Sequence, residues 1–266
     1  MLKQVSWFAQ CNKYDLTYVT AFPKHAFLID LLSYYGFTKT KKVATGEIML
    51  EKPILTNALP AVTGDAFDFD RRHYPRFSDG ATVRKFCVQI QPDYHRRLFP
   101  EIAFVAEIPL FPTAVFGQAL TFAEARRPGN TIRKVYLCRA KNTRIRAGDV
   151  LLFYMSKDQR YAASQSMTTV GIAEQLIHVT AADDLIRLTA NRSVYSAEDM
   201  IAMNASPDSP VKMIDFLLVG HSQPPAKLDI LLTERVFSNR PPQSIAELAE
   251  TQYRALKPLL RLGFDL

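Results

Sequence analysis

Residues 144–179 read RIRAGDVLLFYMSKDQRYAASQSMTTVGIAEQLIHV and are the most clearly patterned part of the chain. The Ala-Gly-Asp sequence at 147–149 predicts a tight turn, because glycine allows a positive φ and aspartate can hydrogen-bond its own backbone. The apolar run from Val150 to Tyr154 predicts a buried strand. After a polar loop, the β-branched residues that begin at Thr168 open a second, longer strand, which runs to Val179. The pattern therefore predicts an antiparallel hairpin at the corner of a barrel.

This stretch resembles the core of the PUA-like superfamily, and within it the EVE-type domains, which are relatives of the YTH readers of modified RNA. A basic residue precedes Gly-Asp, the apolar run ends in Phe-Tyr-x-Ser, and the second strand contains T-x-G-I-A-E. The residues that carry the resemblance are Gly148, Asp149, Phe153, Tyr154, Ser156, Gly171, Ile172, Ala173 and Glu174. The resemblance implies a small β-barrel with peripheral helices. An unrelated small barrel that uses the same turn is the alternative.

Composition is that of an ordinary globular protein with room for two domains. Of the 266 residues, 48% are hydrophobic and 22% are charged, which is close to the average for globular chains. No apolar run approaches the roughly 18 residues that a membrane helix requires. Residues 1–15 lack the apolar core and cleavage site of a secretory signal peptide. We therefore predict a cytoplasmic protein that does not interact with membranes.

Neither a metal centre nor an established catalytic motif is evident. The three cysteines are widely spaced and form no CxxC pattern, which is typical of reduced cytosolic thiols. The five histidines form no pair at a metal-ligand spacing. The sequence contains no G-x-S-x-G, no Walker loop and no G-x-G-x-x-G. We predict no metal, no cofactor and no catalytic residue, so that a binding protein is favoured over an enzyme.

The net charge of +7 is unevenly distributed. Between residues 126 and 146 there are eight basic residues and no acidic one: Arg126, Arg127, Arg133, Lys134, Arg139, Lys141, Arg144 and Arg146. A patch that binds phosphates and a solvated face whose cations balance acids elsewhere fit this run equally well. In a second cluster, residues 71–77, cations alternate with Tyr74 and Phe77. There we favour two aromatics that pin an extended segment to the core over a platform for stacked bases.

The N-terminal segment, residues 1–58, has its own pattern. It predicts a helix over 1–13, a strand over 16–20, an amphipathic helix over 25–35 that ends at Gly36, and strands at 37–39 and 47–52. The order, with V-T-A-F-P-K-H-A-F-L-I-D-L-L-S-Y-Y-G-F followed by G-E-I-M-L-E-K, resembles the last part of a GNAT acetyltransferase. The corresponding helix of that family carries a tyrosine that often serves as the catalytic acid, and Tyr34 or Tyr35 is the matching position in this sequence. The family's glycine-containing loop for acetyl-CoA phosphates has no counterpart, since no glycine precedes Gly36.

Beyond this segment, residues 59–103 predict a connector, because Pro60, Gly64, Asp65, Asp68 and Asp70 indicate an irregular linker. Within it we expect a strand at 83–90 and a short helix at 93–99. The elements predicted further along are a strand at 104–110, a short helix at 122–126, a central strand at 135–138, a helix at 181–189, a helix capped by Ser196 and Asp199, a strand at 213–219 and a C-terminal helix at 244–260.

We place a candidate ligand pocket over the hairpin, where the resemblance implies that an extruded base stacks on aromatic side chains. Strand alternation puts Phe153 and Tyr154 on opposite faces, so one belongs to the core and the other to the pocket, without deciding which. Trp7 lies outside this region, which speaks against a tryptophan cage for a methyl group. The predicted nucleic-acid-binding residues are Tyr136, Arg139, Lys141, Arg144, Tyr154, Ser156, Lys157, Thr168 and Thr169.

The sequence thus predicts an α+β protein in three parts. These are a truncated GNAT-like α/β subdomain (1–58), the connector (59–103) and a PUA/EVE-like β-barrel with peripheral helices (104–266). The predicted function is non-catalytic binding of RNA or DNA, with a modified base as the candidate ligand. One alternative is an acyl-CoA-dependent N-acetyltransferase completed by a partner chain, and another is a structural adaptor. A partner protein or a homodimer is compatible with each of them.

Overall fold

The computed structural model describes residues 2–54, 59–102, 131–141, 144–161, 163–189, 192 and 194–264. Residues 2–54, the N-terminal unit, contain α1 (Leu2–Cys11), β1 (Leu16–Ala21), α2 (Ala26–Tyr34), β2 (Thr38–Lys42) and β3 (Ile48–Pro53). From residue 59 onwards the elements are α3 (Ala66–His73), β4 (Lys85–Ile90), α4 (Pro92–Leu98), β5 (Arg133–Cys138), β6 (Val150–Met155), β7 (Ser166–Val179), α5 (Ala182–Thr189), α6 (Ala197–Ala202), β8 (Val211–Lys227), α7 (Leu228–Thr233), β9 (Ala246–Leu248), α8 (Glu250–Leu256) and a 3₁₀ turn (Lys257–Leu259). None of these helices is long and apolar enough to cross a membrane.

The N-terminal unit is a small antiparallel sheet with strand order β1-β3-β2, and α2 packs on one of its faces. The predicted helices and strands of this unit are confirmed. Gly36, which follows α2, has φ +87°, and a β-carbon there would lie 2.3 Å from the carbonyl oxygen of Arg72. Glycine is therefore required both to end the helix and to let the unit approach α3 closely.

The larger sheet has six strands in the order β5-β8-β7-β6-β4-β9. Its strands β6 and β7 pair antiparallel, so the predicted hairpin is confirmed. The turn before it is confirmed as well, since Gly148 has φ +83° and the carboxylate of Asp149 accepts a hydrogen bond from the Arg146 backbone N–H at 2.6 Å. The combination of two sheets with flanking helices makes this an α+β fold, as predicted.

The predicted closed barrel is wrong for the described residues, because β5 and β9 remain as the open edges of the larger sheet. The sheet is nevertheless strongly curled. Tyr136 on β5 donates a hydrogen bond to the carbonyl oxygen of Gln89 on β4 at 2.9 Å, although three strands lie between them in the sheet. The predicted central position of residues 135–138 is also wrong among these strands, since β5 lies at an edge.

Both faces of β6 are covered. Leu151 and Phe153 enter a core on the concave side of the sheet, together with residues such as Phe86 and Phe216. Leu152 and Tyr154 enter a second core, which α3 and α8 help to cover. A strand buried on both sides has a continuous apolar sequence instead of an alternating one, which explains the run over residues 150–155.

Residues 59–102 contain more regular structure than the predicted connector. The prediction of an irregular linker is wrong at α3, which Asp65 caps by accepting a hydrogen bond from the Asp68 backbone N–H at 2.8 Å. Tyr74 and Phe77 are buried, so their interpretation as core residues is confirmed. β4 pairs with both β6 and β9. The exact domain boundaries stay a prediction.

Two further differences concern the C-terminal half. The predicted helix over 244–260 is wrong at its start, where β9 forms and pairs with β4 before α8 begins. Apolar residues three apart, such as Ile245 and Leu248, fit a helix face, so the sequence pattern favoured one continuous helix. The capping box of Ser196 and Asp199 is confirmed. The strand predicted at 104–110 and the helix predicted at 122–126 lie outside the described residues.

Candidate functional site

The aromatic residues of the predicted pocket are core residues. Phe153 is 0% exposed and Tyr154 is 1% exposed. The ring of Tyr154 packs edge-on against Phe237, with the ring centroids 5.8 Å apart. The expectation that one of the two faces a pocket is therefore wrong, because both faces of β6 are covered. Tyr136 is partly buried, and its hydroxyl is used in the bond to Gln89.

Thr168 and Thr169, two of the predicted binding residues, are fully buried and hydrogen-bonded within the protein. The Thr168 hydroxyl lies 2.7 Å from Nε2 of His95 and 3.2 Å from the Thr169 hydroxyl. The Thr169 hydroxyl in turn lies 3.0 Å from Nδ1 of His221. The two threonines thus connect two histidines that are far apart in the sequence.

The His221 imidazole also faces Glu101, which lies three residues after α4. Oε2 of Glu101 lies 3.7 Å from Nε2 of His221, and its other oxygen accepts a hydrogen bond from Lys3 at 2.9 Å. Burial lowers the pKa of His95 to about 3, so this imidazole is neutral at physiological pH. Burial of Glu101 opposes its ionisation, but His221, Lys134 and Lys3 outweigh that effect and lower its pKa. Burial also lowers the pKa of His221, so two buried imidazoles with lowered pKa values lie near an ionised carboxylate.

The cations of the basic run are largely engaged within the protein. Arg133 forms a two-pronged ion pair with Glu174, with distances of 2.5 and 2.8 Å, and Arg144 lies 2.5 Å from Glu247. The Arg139 guanidinium donates to the Ser209 hydroxyl and the Met203 carbonyl. These contacts favour the interpretation in which the cations of the run balance acceptors elsewhere. The prediction for Arg126 and Arg127 lies outside the described residues.

Three predicted site residues are more accessible but are not brought together with an aromatic platform. Lys141 and Lys157 are exposed. Ser156 is partly buried, and its backbone N–H donates to the carbonyl oxygen of Ile90 at 2.9 Å. The described residues therefore do not assemble the predicted set into one binding surface.

The two tyrosines that the GNAT resemblance matched to a catalytic acid are in contact with other parts of the protein. Tyr35 is buried, and burial raises the pKa of its hydroxyl to about 12. The ring of Tyr34 is covered by the Arg71 guanidinium, whose central carbon lies 3.0 Å from the ring centroid. A hydroxyl of high pKa inside the core is poorly placed to exchange protons with a substrate.

A basic cleft of about 600 Å³ lies where the end of α1 meets the C-terminal segment. Three cations line it, Lys13, Arg76 and Arg261, and no carboxylate occurs among the described residues of its wall. The residues that line the cleft are Gln10, Cys11, Lys13, Arg76, Pro258, Leu260, Arg261, Leu262, Gly263 and Phe264. Lys13 and Arg261 on this wall make the cleft a candidate site for anions.

Trp7 stands beside this basic cleft. Its indole N–H donates to the carbonyl oxygen of Leu262 at 3.0 Å, and a β-carbon placed on Gly263 would come within 3.1 Å of the ring. The indole remains 41% exposed. The sequence did not reveal this site, because its cations come from three distant segments, although the lone tryptophan was a usable signal.

Among the described residues, no group of three or more histidine, cysteine, aspartate or glutamate side chains is arranged to hold a metal ion. No protein-family model matches this sequence, and no curated protein matches it.

Solved structures of an ASCH protein from Zymomonas mobilis resemble part of the chain. Two structures of its single-residue variants match with TM-scores of 0.43 and 13% identity, over 66% of this chain and 95% and 97% of theirs. A further structure of the ASCH protein matches with a TM-score of 0.39 and 15% identity, over 66% of this chain and 94% of its own. A likeness this weak carries no argument about function, and the EVE-type and GNAT resemblances stay predictions.

Proposed function

We propose that the protein binds single-stranded nucleic acid at the basic cleft, with a backbone phosphate near Lys13 and Arg261 and a base stacked on Trp7. The observation that carries the proposal is the combination of two cations, Lys13 and Arg261, in one cleft with an exposed indole beside it. Proteins that bind single strands combine the same two elements, a positively charged groove and an aromatic surface on which bases stack. Such a site serves RNA and DNA alike.

The backbone of Lys13 supports this assignment. Lys13 follows α1 in the left-handed region, with φ +54°. The turn is closed by a hydrogen bond from the Tyr14 N–H to the Ala9 carbonyl at 3.1 Å, an arrangement in which glycine is the usual residue. A side chain in this conformation costs about 1–2 kcal/mol. A lysine in this strained conformation, inside the basic cleft, supports a role for its side chain in ligand binding.

The test uses the single tryptophan of the chain as its own probe. Unlabelled oligo(U) and oligo(dT) are titrated at several salt concentrations, and binding is expected to quench Trp7 fluorescence. Each phosphate contact contributes roughly −0.7 to the slope of log affinity against log salt. Arg261→Ala is expected to flatten the slope by about one contact. Arg240→Ala removes an exposed arginine outside the cleft wall and is expected to leave the slope unchanged.

Two variants separate stacking from charge. Because these variants have no tryptophan, their binding and that of the wild type are compared by the fluorescence anisotropy of end-labelled oligonucleotides. Trp7→Ala is expected to lose about 1–3 kcal/mol of binding free energy with the salt slope kept, and Trp7→Phe is expected to retain most of the affinity. Lys13→Gly is expected to weaken binding while the melting temperature stays equal or rises, because it relieves the strained backbone. If neither oligonucleotide binds below the high-micromolar range at low salt, the proposal is wrong.

A further inference from the structure

The two edges of the N-terminal sheet differ sharply. At one edge, β2 carries Lys39, Lys41 and Lys42, and its pairing with β3 is interrupted by a register shift between Lys39 and Lys41. Lysines and bulges on an edge strand are the usual features that prevent pairing with another chain. At the other edge, β1 has the sequence LTYVTA, without charge or proline, and its register with β3 is regular. Only one of the two edges is protected.

The free edge of β1 presents a short row of backbone groups. The Ile54 N–H donates to the carbonyl oxygen of Asp15 at 2.9 Å. Because bonded and non-bonded pairs alternate in an antiparallel ladder, Leu16, Tyr18 and Thr20 direct their N–H and C=O groups away from β3. Among the described strands, β1 pairs with β3 alone. These three residues are therefore available for a further strand.

The side chains along this edge are apolar and exposed. Tyr18 is 63% exposed and Leu16 is 45% exposed. Tyr14 and Phe22, which flank the strand, are also exposed. An uncharged, aromatic and exposed edge of this kind is characteristic of an interaction site.

We infer that β1 pairs antiparallel with β1 of a second copy of this chain, about a two-fold axis at Tyr18. In this register Leu16 lies opposite the partner's Thr20, Tyr18 lies opposite its own equivalent, and all outward backbone groups are paired. Tyr14 then lies opposite the partner's Phe22, which adds an aromatic cross-strand pair at each end. No charged residue occurs between 16 and 22, so like charges do not meet.

A second copy fits this edge better than an unrelated strand for a geometric reason. Three residues direct backbone groups outward, and they are centred on Tyr18. A two-fold partner in this register therefore pairs every outward N–H and C=O group of both copies. The N-terminal sheet of each copy then has only the lysine-bearing edge of β2 left, so this sheet does not extend beyond the dimer.

The first test measures mass in solution by light scattering after gel filtration over a range of concentrations. The wild type is expected to be dimeric. Tyr18→Lys places like charges opposite each other on the axis and is expected to be monomeric and still to unfold cooperatively, with a melting temperature that no longer depends on protein concentration. Thr40→Lys makes the same kind of change on β2 and is expected to remain dimeric. A monomeric wild type, or a dimer that persists in Tyr18→Lys, overturns the inference.

The second test fixes the register. In a background with Cys11→Ser and Cys138→Ser, Tyr18→Cys is expected to give a covalent dimer under mild oxidation, because residues in a bonded antiparallel pair have Cα atoms about 5.5 Å apart, within disulfide range. Leu16→Cys is the matched control, since its two copies lie roughly 13 Å apart in this register. Efficient cross-linking of the Leu16 variant in place of the Tyr18 variant contradicts the proposed axis.

Discussion

The N-terminal unit and the six-stranded sheet use apolar residues in opposite ways. In the larger sheet, β6 is buried along its whole length and divides two cores. By contrast, ten of the thirteen exposed large apolar side chains among the described residues lie between Val5 and Tyr34. The hairpin, whose sequence pattern is the clearest, therefore contributes mainly to stability. The exposed apolar side chains lie in the N-terminal unit, whose sequence pattern appeared ordinary.

The largest expected effect comes from the same substitution made in both regions. Phe153→Ala removes a fully buried ring that contacts Phe99 and Phe216, and it is expected to lower the free energy of unfolding by about 3–5 kcal/mol. Phe27→Ala removes a ring that is 83% exposed, and its effect is expected to stay within about 0.5 kcal/mol. Urea unfolding of both variants measures the difference. Similar losses from both would mean that Phe27 is covered in solution.

Many of the individual helices, strands and turns could be predicted from the sequence. The turn at Gly148, the hairpin, the helix that ends at Gly36 and the capping box at Ser196 each depend on neighbours in the chain, and all were predicted correctly. The covering of β6 on both faces depends on residues far away in sequence, on α3 and α8. Alternation within one strand cannot indicate whether its second face meets solvent or another layer, and this caused the error at Tyr154.

The junction between the two regions gives a pH-dependent effect of intermediate size. Lys52 of β3 is buried, and its ammonium group donates to the carbonyl oxygens of Tyr35 and Tyr74, each at 2.8 Å. Burial lowers the pKa of Lys52 from 10.5 to about 7. Between these two pH values the unfolded chain holds the proton and the folded protein does not, so stability is expected to rise with pH across this window and to lack this contribution below it.

Lys52→Met removes the titrating group. Its free energy of unfolding is expected to rise less steeply than that of the wild type between about pH 7 and 10, with a difference on the order of a few kcal/mol over the window. Lys39→Met, on the exposed strand β2 of the same sheet, is the matched control and is expected to follow the wild-type slope. Urea titrations at several pH values measure this, and parallel slopes for Lys52→Met and wild type would contradict the assignment.

The candidate site was less predictable than the fold, again for reasons of chain separation. The basic run was visible because its members are neighbours in sequence, whereas Lys13, Arg76 and Arg261 meet only in the folded chain. The run has no acid of its own, but Glu174 and Glu247 arrive from other strands to pair with it. Local charge density therefore overestimated the free positive surface near the hairpin.

The smallest expected effect tests whether the basic run at 126–146 or the basic cleft binds phosphates. Arg139 of the run donates to the Met203 and Asn204 carbonyls, just beyond the end of α6, and to the Ser209 hydroxyl. Side chains that satisfy carbonyls at the end of a helix stabilise it modestly, so Arg139→Ala is expected to cost about 1 kcal/mol of unfolding free energy.

If this helix-end contact is the main role of Arg139, Arg139→Ala leaves the salt dependence of oligonucleotide binding unchanged, whereas Arg261→Ala flattens it. Arg139→Lys sharpens the distinction, because lysine keeps the charge but cannot form the same set of directed hydrogen bonds. A stability loss in both Arg139 variants, with the wild-type salt slope in each, identifies a structural contact. A slope flattened by about one contact in Arg139→Ala and restored in Arg139→Lys would return the phosphate-binding role to the run beside the hairpin and remove it from the cleft.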